Sequence, residues 1–292
     1  MAEDEPRDGT RATASVPFEV RFWGVRGSIP SPGPRTQRYG GNTPCVEMRC
    51  GEELLIFDLG TGVRELGEAL IATGQPVRGS IFLSHYHYDH LQGLPFFTPI
   101  FIPRNSFTLY GAPRDGMSVK EVLAGQMVQP YFPVTAEQVF RAQLSYRDLG
   151  SKQVLELGPA TVRTLDLNHP GGNLGYRVEC GGKSVVYATD VEHGSAKDPE
   201  LVEFARDADV LIVDAMYTED EYRGRSGAAK IGWGHSTWMS AVETANASNA
   251  KQLVLFHHEP TRDDAGMDRF VEEVRKHRPE VIAAIESQVL KL

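Results

Sequence analysis

The chain has 292 residues, of which 41% are hydrophobic and 24% charged, an ordinary composition for a globular protein that can bury a substantial core. Its formal net charge of −9 argues against a surface built for broad capture of nucleic acid, where a basic face is expected. Residues 1–17 are polar and acidic without an apolar segment, no apolar run reaches the length of a membrane span, and the three cysteines form no CxxC motif. We therefore expect a cytoplasmic protein with free thiols, a disordered acidic tail over residues 1–17 and one domain over residues 18–292.

The first half of the chain alternates short apolar segments with turns, which is typical of strands. After the tail, a strand at 18–25 leads into a long loop rich in glycine and proline, GSIPSPGPRTQRYGGNT. Further strands are predicted at 45–50, 53–59, 79–84, 106–111 and 144–149, with helices at 63–74 and 118–127.

The second half repeats this order of strands followed by helices. Strands are predicted at 160–167, 174–180, 183–190, 209–217, 251–258 and 280–285, and helices at 198–208, 236–248 and 267–277, with Ser236 as an N-cap. No linker separates the halves. The pattern predicts one α/β domain of four layers, αββα, in which two mixed sheets pack face to face and the helices lie outside.

The stretch LSHYHYDHLQG, residues 83–93, contains the candidate metal ligands His85, His87, Asp89 and His90. Alternate residues of a strand point to the same side, so the first two histidines can converge on one ion while the aspartate and the last histidine face a second. Such nitrogen and oxygen ligands suit zinc, and manganese or iron would also accept them. The alternative is a surface turn without a ligand, which the apolar and buried character of the preceding strand disfavours.

Three further candidates each follow an apolar strand. His169 comes after ATVRTLDL, Asp190 ends KSVVYATD, and His257 lies in KQLVLFHH. A single histidine at a strand end is more often only hydrogen-bonded. The repetition of the same placement indicates that these side chains gather at one edge of the sheets.

This set of residues resembles the metallo-β-lactamase-fold hydrolases, in which HYHYDH would correspond to the family motif HxHxDH. The resemblance extends over nearly the whole chain from about residue 18. It implies two divalent ions, zinc before manganese or iron, with one ion bound by His85, His87 and His169, the other by Asp89, His90 and His257, and with Asp190 bridging both. It also implies a catalytic role for Asp89, and it matches Asp58 of IFDLGTG to a position that supports the ligands or only forms a turn.

A second layer of motifs is similar to the ribonuclease Z-like phosphodiesterase branch of that family. These motifs are DVLIVDAMY, GWGHST at 232–237 and FHHEP. The resemblance implies that His235 protonates the leaving alkoxide and that Asp214 supports it, although the branch more often has glutamate there. The alternative for His235 is a residue that merely lies beside the predicted helix cap at Ser236.

Substrate contacts are the least specific part of the sequence. In the glycine-rich loop, Arg26 and Asn42 could meet a phosphate or could order their own loop. A group of aromatic residues could stack on a base, or could belong to the core or to a dimer surface: Phe96, Phe97, Phe101, Tyr131 and Phe132.

No glycine- and lysine-rich arm for binding tRNA is evident between residues 91 and 168. The chain is in this respect similar to compact cyclic-nucleotide phosphodiesterases of the fold, including anti-Pycsar enzymes, and that resemblance implies a homodimer. We therefore expect a phosphodiesterase that hydrolyses a small nucleotide, a 3′,5′-cyclic mononucleotide being one candidate, by attack of a metal-bridging hydroxide. Long nucleic acid is disfavoured as a substrate. The alternatives are a thioesterase or lactonase on the same metals, a tRNA 3′-processing endonuclease, and a sensor that binds without hydrolysis.

Overall fold

The computed structural model describes residues 16–193 and 198–292. The predicted acidic tail therefore lies outside the described residues except for its last two positions. Val16, the first described residue, packs against the core between the sheets.

The first sheet has seven strands in the order β14-β1-β2-β3-β4-β5-β6. Their bounds are β1 (Phe18–Gly24), β2 (Cys45–Cys50), β3 (Glu53–Phe57), β4 (Arg78–Phe82), β5 (Ser106–Gly111), β6 (Gln143–Asp148) and, near the end of the chain, β14 (Val289–Lys291). From β14 through β1 and β2 to β3 neighbouring strands pair antiparallel, whereas from β3 to β6 they pair parallel, so the sheet is mixed.

The second sheet also has seven strands, in the order β13-β12-β11-β10-β9-β8-β7. Their bounds are β7 (Val154–Leu157), β8 (Ala160–Leu167), β9 (Asn173–Cys180), β10 (Lys183–Ala188), β11 (Val210–Asp214), β12 (Gln252–Phe256) and β13 (Ile282–Ala283). Here the β10 to β13 strands are parallel and β7 to β10 antiparallel, which makes this sheet mixed as well.

The helices are short, and α1, α3, α5, α7 and α8 pack on the outer faces of the sheets. They are α1 (Val63–Ala72), α2 (Tyr88–Leu91), α3 (Val119–Gly125), α4 (Ala136–Val139), α5 (Pro199–Phe204), α6 (Glu219–Tyr222), α7 (Trp238–Ala247) and α8 (Asp264–Arg275), with 3-10 turns at Leu94–Phe96 and Thr98–Phe101. None of the helices in the described part of the chain is long and apolar enough to cross a bilayer.

Three apolar layers hold the domain together. The central layer lies between the sheets, where the Phe57 ring is 5.2 Å from that of Phe82 and 5.7 Å from that of Tyr187 of the other sheet. Because strand side chains alternate, Ile56 points to the opposite face and packs with Leu66 of α1. A third layer joins the second sheet to α5, α7 and α8. This arrangement confirms the predicted αββα architecture.

Several element ends differ from the prediction. Thr237, and not Ser236, caps α7 by accepting a hydrogen bond from the Ser240 amide at 3.3 Å, because the Ser236 hydroxyl donates to the Val191 carbonyl. The strand predicted at 280–285 is reduced to β13. The edge strands β7 and β14 were not predicted.

Candidate metal centre

The predicted ligands lie where strands from both sheets end. The β4 strand leads to His85, β8 to His169, β10 to Asp190 and β12 to His257. These ends meet at one edge of the two sheets. The predicted metal ligands form two groups there, with ligand atoms within 4.8 Å of one another in each: His85, His87 and His169 in the first, and Asp89, His90, Asp190 and His257 in the second.

In the first group three imidazoles converge. Nε2 of His169 lies 3.1 Å from Nδ1 of His87 and 4.0 Å from Oδ2 of Asp190. Nε2 of His85 lies 3.6 Å from the same carboxylate oxygen. His85 and His169 are buried, whereas His87 is exposed, so this group opens towards solvent.

The second group pairs two imidazoles with two carboxylates. Nε2 of His90 is 3.2 Å from Oδ2 of Asp89 and 3.3 Å from Oδ1 of Asp190. Nε2 of His257 lies 3.1 Å and 3.3 Å from the same two oxygens. Asp190 thus presents Oδ2 to the first group and Oδ1 to the second, which is the geometry of a bridging carboxylate.

The burial of these nitrogens fits a metal centre. Among the described residues, Nε2 of His85 and Nε2 of His90 are buried without a hydrogen-bond partner, a costly condition for a polar atom. Burial and the neighbouring His90 lower the pKa of His85 well below its ordinary value, so the ring is neutral, as a ligand must be. A divalent cation would supply the missing partner, and the mixed nitrogen and oxygen donors suit zinc, manganese or iron.

The charges around the second group also fit a metal centre. Burial lowers the pKa of His90, but the carboxylates of Asp190, Asp89 and Asp58 outweigh that effect and raise the pKa well above its ordinary value. The same concentration of negative charge attracts a divalent cation.

Outer contacts orient the ligands. Oδ2 of Asp58 accepts from His90 Nδ1 at 2.9 Å and from the Tyr187 hydroxyl at 2.7 Å, while the Ser84 amide donates to Oδ1 at 2.8 Å. The carbonyl of Gly234 lies 2.8 Å from Nδ1 of His169. Partners of this kind fix the ring tautomer and leave Nε2 for the metal. Asp58, with a φ of 62°, both turns the chain after β3 and supports His90.

His235 lies beside both groups. Its Nδ1 is 2.7 Å from Oδ2 of Asp214, which is fully buried at the end of β11. The His235 ring stacks on that of His257 with 4.8 Å between centroids and lies 5.5 Å from that of His169. Burial lowers the pKa of His235, but the Asp214 carboxylate outweighs it and raises the pKa to about 9. The pair can therefore hold a proton next to the metal groups.

The position of Arg26 does not agree with its predicted contact with substrate. Its side chain is fully buried, and its guanidinium donates to the carbonyls of Gly40, Glu259 and Arg262 at 2.8 to 3.2 Å. A guanidinium in the interior cannot reach a substrate phosphate. Arg26 instead fastens its own loop to the segment after β12, which is the alternative left open by the sequence.

Asn42 lies at a cleft. Its Nδ2 donates to Glu286 at 3.2 Å and its Oδ1 accepts from the Thr61 hydroxyl at 3.0 Å. It is partly exposed and lines a cavity of about 320 Å³ together with Gln92 and Phe96. A contact of Asn42 with substrate stays a proposal.

The aromatic residues considered for base stacking are divided between core and surface. Phe97 is fully buried and belongs to the core beside α1, so it cannot stack on a base. Phe101 is half-buried against Phe140, with 5.7 Å between ring centroids. Phe96 and Tyr131 are 58% and 83% exposed and are the members of the set that a ligand can reach most easily.

Glu192 is not predicted from the sequence; the residue is 8% exposed, and its carboxylate accepts three hydrogen bonds near His235. It stands two residues after Asp190 in DVEH, and a carboxylate so close to a strand-end ligand is the only local signal for it. Ser84 and Tyr187, which hold Asp58, were also missed because they lie within apolar strand patterns.

A family model described as the beta-lactamase superfamily domain matches residues 56–258. Ribonuclease Z of Pyrococcus furiosus is 25% identical over 294 residues, which cover 83% of this chain and 87% of that protein.

Solved structures share the architecture. The metallo-beta-lactamase fold protein YhfI from Bacillus subtilis superposes with a TM-score of 0.71 at 19% identity, over 95% of this chain and 100% of that chain. A diphosphatase from the PhnP family superposes with a TM-score of 0.67 at 19% identity, over 94% of this chain and 97% of that chain. Both likenesses show the same fold.

Proposed function

Since this chain belongs to the beta-lactamase superfamily and is a metal-dependent hydrolase of ribonuclease Z-like type, we propose that it is a dinuclear phosphodiesterase acting on a small nucleotide. A 3′,5′-cyclic mononucleotide is the substrate that we propose to test first. The proposal includes zinc as the metal and a homodimer as the assembly.

The hydrogen-bonded pair of His235 and Asp214 carries the proposal. A ribose alkoxide is a poor leaving group, so a proton donor within reach of it accelerates departure. His235 lies against the rings of both metal groups, and the Asp214 carboxylate at 2.7 Å keeps it protonated and oriented. A thioester or a lactone needs such a donor far less.

The other site residues place the reacting groups. When bound, two divalent ions would polarise the phosphodiester and lower the pKa of a water nucleophile. Asp190 holds its two oxygens towards the two groups, and Asp89 is fixed by a hydrogen bond of 2.8 Å from the Ser28 amide. We assign catalytic roles to His235, Asp214 and Asp89 on this basis.

The choice of a small substrate rests on the segment between residues 91 and 168. In the structure this segment forms β5 to β8, α3 and α4, and two of its strands complete the first sheet. It is thus folded into the domain, and the net charge of −9 gives no general attraction to a polyanion. Processing of tRNA 3′ ends is the second candidate because the curated relatives are named ribonuclease Z.

The test combines metal analysis with a substrate panel. Purified protein would be analysed for zinc, manganese and iron and then offered bis-p-nitrophenyl phosphate, 3′,5′-cyclic mononucleotides, precursor tRNA, a thioester and a lactone. We expect about two ions per chain and hydrolysis of a nucleotide phosphodiester. In His235→Ala this activity should fall by about 10²–10⁴-fold.

His277→Ala, which removes an exposed histidine of the segment after α8, serves as the matched control and should leave the activity unchanged. Turnover of the thioester or lactone alone would overturn the proposal. Cleavage of precursor tRNA without turnover of small nucleotides would favour the second candidate, and nucleotide binding without hydrolysis would identify a sensor.

A further inference from the structure

Both carboxylate oxygens of the buried residue Glu192 accept hydrogen bonds, from the backbone of one loop and from the Tyr222 side chain. Oε1 accepts from the Gly232 amide at 2.7 Å and from the Tyr222 hydroxyl at 2.5 Å, and Oε2 accepts from the Gly234 amide at 2.8 Å. The residue as a whole is 8% exposed. Three donors on one buried carboxylate fix the donor residues relative to Glu192.

The segment that Glu192 holds, residues 231–235, is the loop that delivers His235. Gly232 and Gly234 have φ values of 84° and 89°, and Ile231 and Trp233 are 61% and 54% exposed. The loop therefore has little apolar anchoring of its own. Hydrogen bonds to its backbone are what can fix its path.

The same loop touches a metal ligand. The Gly234 carbonyl lies 2.8 Å from Nδ1 of His169, and a β-carbon at Gly234 would lie 2.2 Å from that nitrogen. The backbone of Glu192 in turn pairs with Asn168, whose carbonyl accepts from the Glu192 amide at 2.9 Å. One residue thus joins the segments that carry Asp190, His169 and His235.

We propose that Glu192 is a positioning residue that fixes His235 for protonation of the leaving group. The proposal rests on the proposed function. Glu192 acts through the backbone of the 231–235 loop and does not contact the reacting atoms. Displacement of a catalytic group by about 1 Å can cost about 10²-fold in rate, so loss of this attachment should impair the step that uses His235.

The test compares two substrates that differ in their need for a proton. In a 3′,5′-cyclic mononucleotide the leaving group is a ribose alkoxide, whereas bis-p-nitrophenyl phosphate releases a stabilised phenolate. In Glu192→Gln, an amide nitrogen would face backbone N–H donors. We expect kcat/KM to fall by about 10²-fold for the cyclic nucleotide and by only a few-fold for bis-p-nitrophenyl phosphate, through kcat and not KM, with an unchanged metal content.

A double variant identifies the route of the effect. If Glu192 acts through His235, Glu192→Gln combined with His235→Ala should be no slower on the cyclic nucleotide than His235→Ala alone. Tyr222→Phe removes one of the three donors and should show the same selectivity to a smaller extent, which keeps the test available if Glu192→Gln does not fold.

Glu47→Gln is the matched control. Glu47 is also 8% exposed and accepts from Trp23 Nε1 at 2.8 Å and Arg49 Nε at 2.6 Å, but it lies on β2. It should leave the ratio of the two kcat/KM values unchanged. Equal losses on both substrates in Glu192→Gln, or additive losses in the double variant, would overturn the positioning role alone. If the wild type hydrolyses neither phosphodiester, the proposed function fails and the positioning role fails with it.

Discussion

Asp58 illustrates how one side chain can set the properties of a metal site without binding the metal. Its φ of 62° is a conformation that aspartate and asparagine tolerate better than most residues. In that conformation the carboxylate reaches His90 Nδ1 at 2.9 Å, while the Ser84 amide and the Tyr187 hydroxyl hold it in place. The orientation of His90 is thus fixed from the side opposite the proposed metal.

Asp58→Asn should weaken metal binding. Asparagine suits the backbone, but its neutral amide is a weaker acceptor for His90 Nδ1–H. We expect the affinity for the metal bound by His90 to fall by about 10–100-fold, as measured by competition with a chromophoric chelator. Tyr187→Phe, which leaves the His90 contact intact, should have a smaller effect, and an unchanged affinity in Asp58→Asn would contradict the supporting role.

Gly27→Ala should displace the His257 ring. A β-carbon at Gly27 would lie 2.5 Å from the His257 ring, and that fully buried ring cannot retreat without pressing on His235, which stacks on it. We expect kcat/KM for a phosphodiester to fall by about 10²-fold. Gly125→Ala in α3, where a β-carbon meets nothing within 4 Å, is the control. Equal activity of both variants would show that the site can absorb the added methyl group.

At the scale of elements, the long loop between β1 and β2 is fixed by hydrogen bonds from the buried side chain of Arg26. Arg26 reaches the carbonyls of Gly40, Glu259 and Arg262, and the Gly27 amide donates to the His258 carbonyl at 2.9 Å. These contacts join the loop to the segment after β12. The loop is therefore part of the folded domain, and it can present the Ser28 amide to Asp89.

Arg26→Ala should destabilise the whole domain because it removes the donor to the carbonyls of Gly40, Glu259 and Arg262 and creates a cavity. We expect the free energy of unfolding to fall by on the order of 3 kcal/mol, measured by denaturant titration. Arg206→Ala, which removes an exposed arginine from a surface pair with Glu203, should leave the midpoint unchanged. A wild-type midpoint in Arg26→Ala would mean that the loop is not fastened by this side chain.

Elements with their own apolar pattern could be predicted from the sequence, and elements defined by a partner could not. The β2 and β8 strands have the predicted bounds because their residues are mostly buried and turns flank them. The β7 and β14 strands were missed because they are half-exposed edge strands that depend on pairing with β8 and β1.

In the candidate site as well, residues placed by strand ends could be predicted, and residues whose role depends on a partner distant in sequence could not. Strand ends brought His85, His169, Asp190 and His257 to one edge, and a sequence pattern can show that placement. The role of Arg26 could not be predicted, because its acceptors come from loops that are distant in sequence and meet only in the folded chain. Glu192 depends on the 231–235 loop in the same way.

At the scale of the molecule, the metal groups connect the two sheets. The first sheet leads to His85, His87, Asp89 and His90, and the second sheet supplies the remaining ligands after β8, β10 and β12. Each group contains residues from both sheets. Bound metal should therefore act as a cross-link between the two halves of the domain.

Removal of metal should lower the thermal stability. At a free metal concentration of 100 times Kd, each occupied site contributes about 2.7 kcal/mol, so chelation should lower Tm by several degrees, and scanning calorimetry would measure the shift. Zinc should restore Tm, whereas magnesium should not, because the histidine nitrogens do not suit it. An identical Tm with and without chelator would show that the groups do not hold a metal in the native state.

The division of the ligands between the sheets has a consequence for protein synthesis. His85 to His90 are synthesised directly after β4, but His169 and Asp190 are added much later, and His257 only after β12. A nascent chain therefore cannot assemble the second group until it has been synthesised beyond His257. Metal acquisition is in this sense a late step, which a chain terminated before His257 cannot reach.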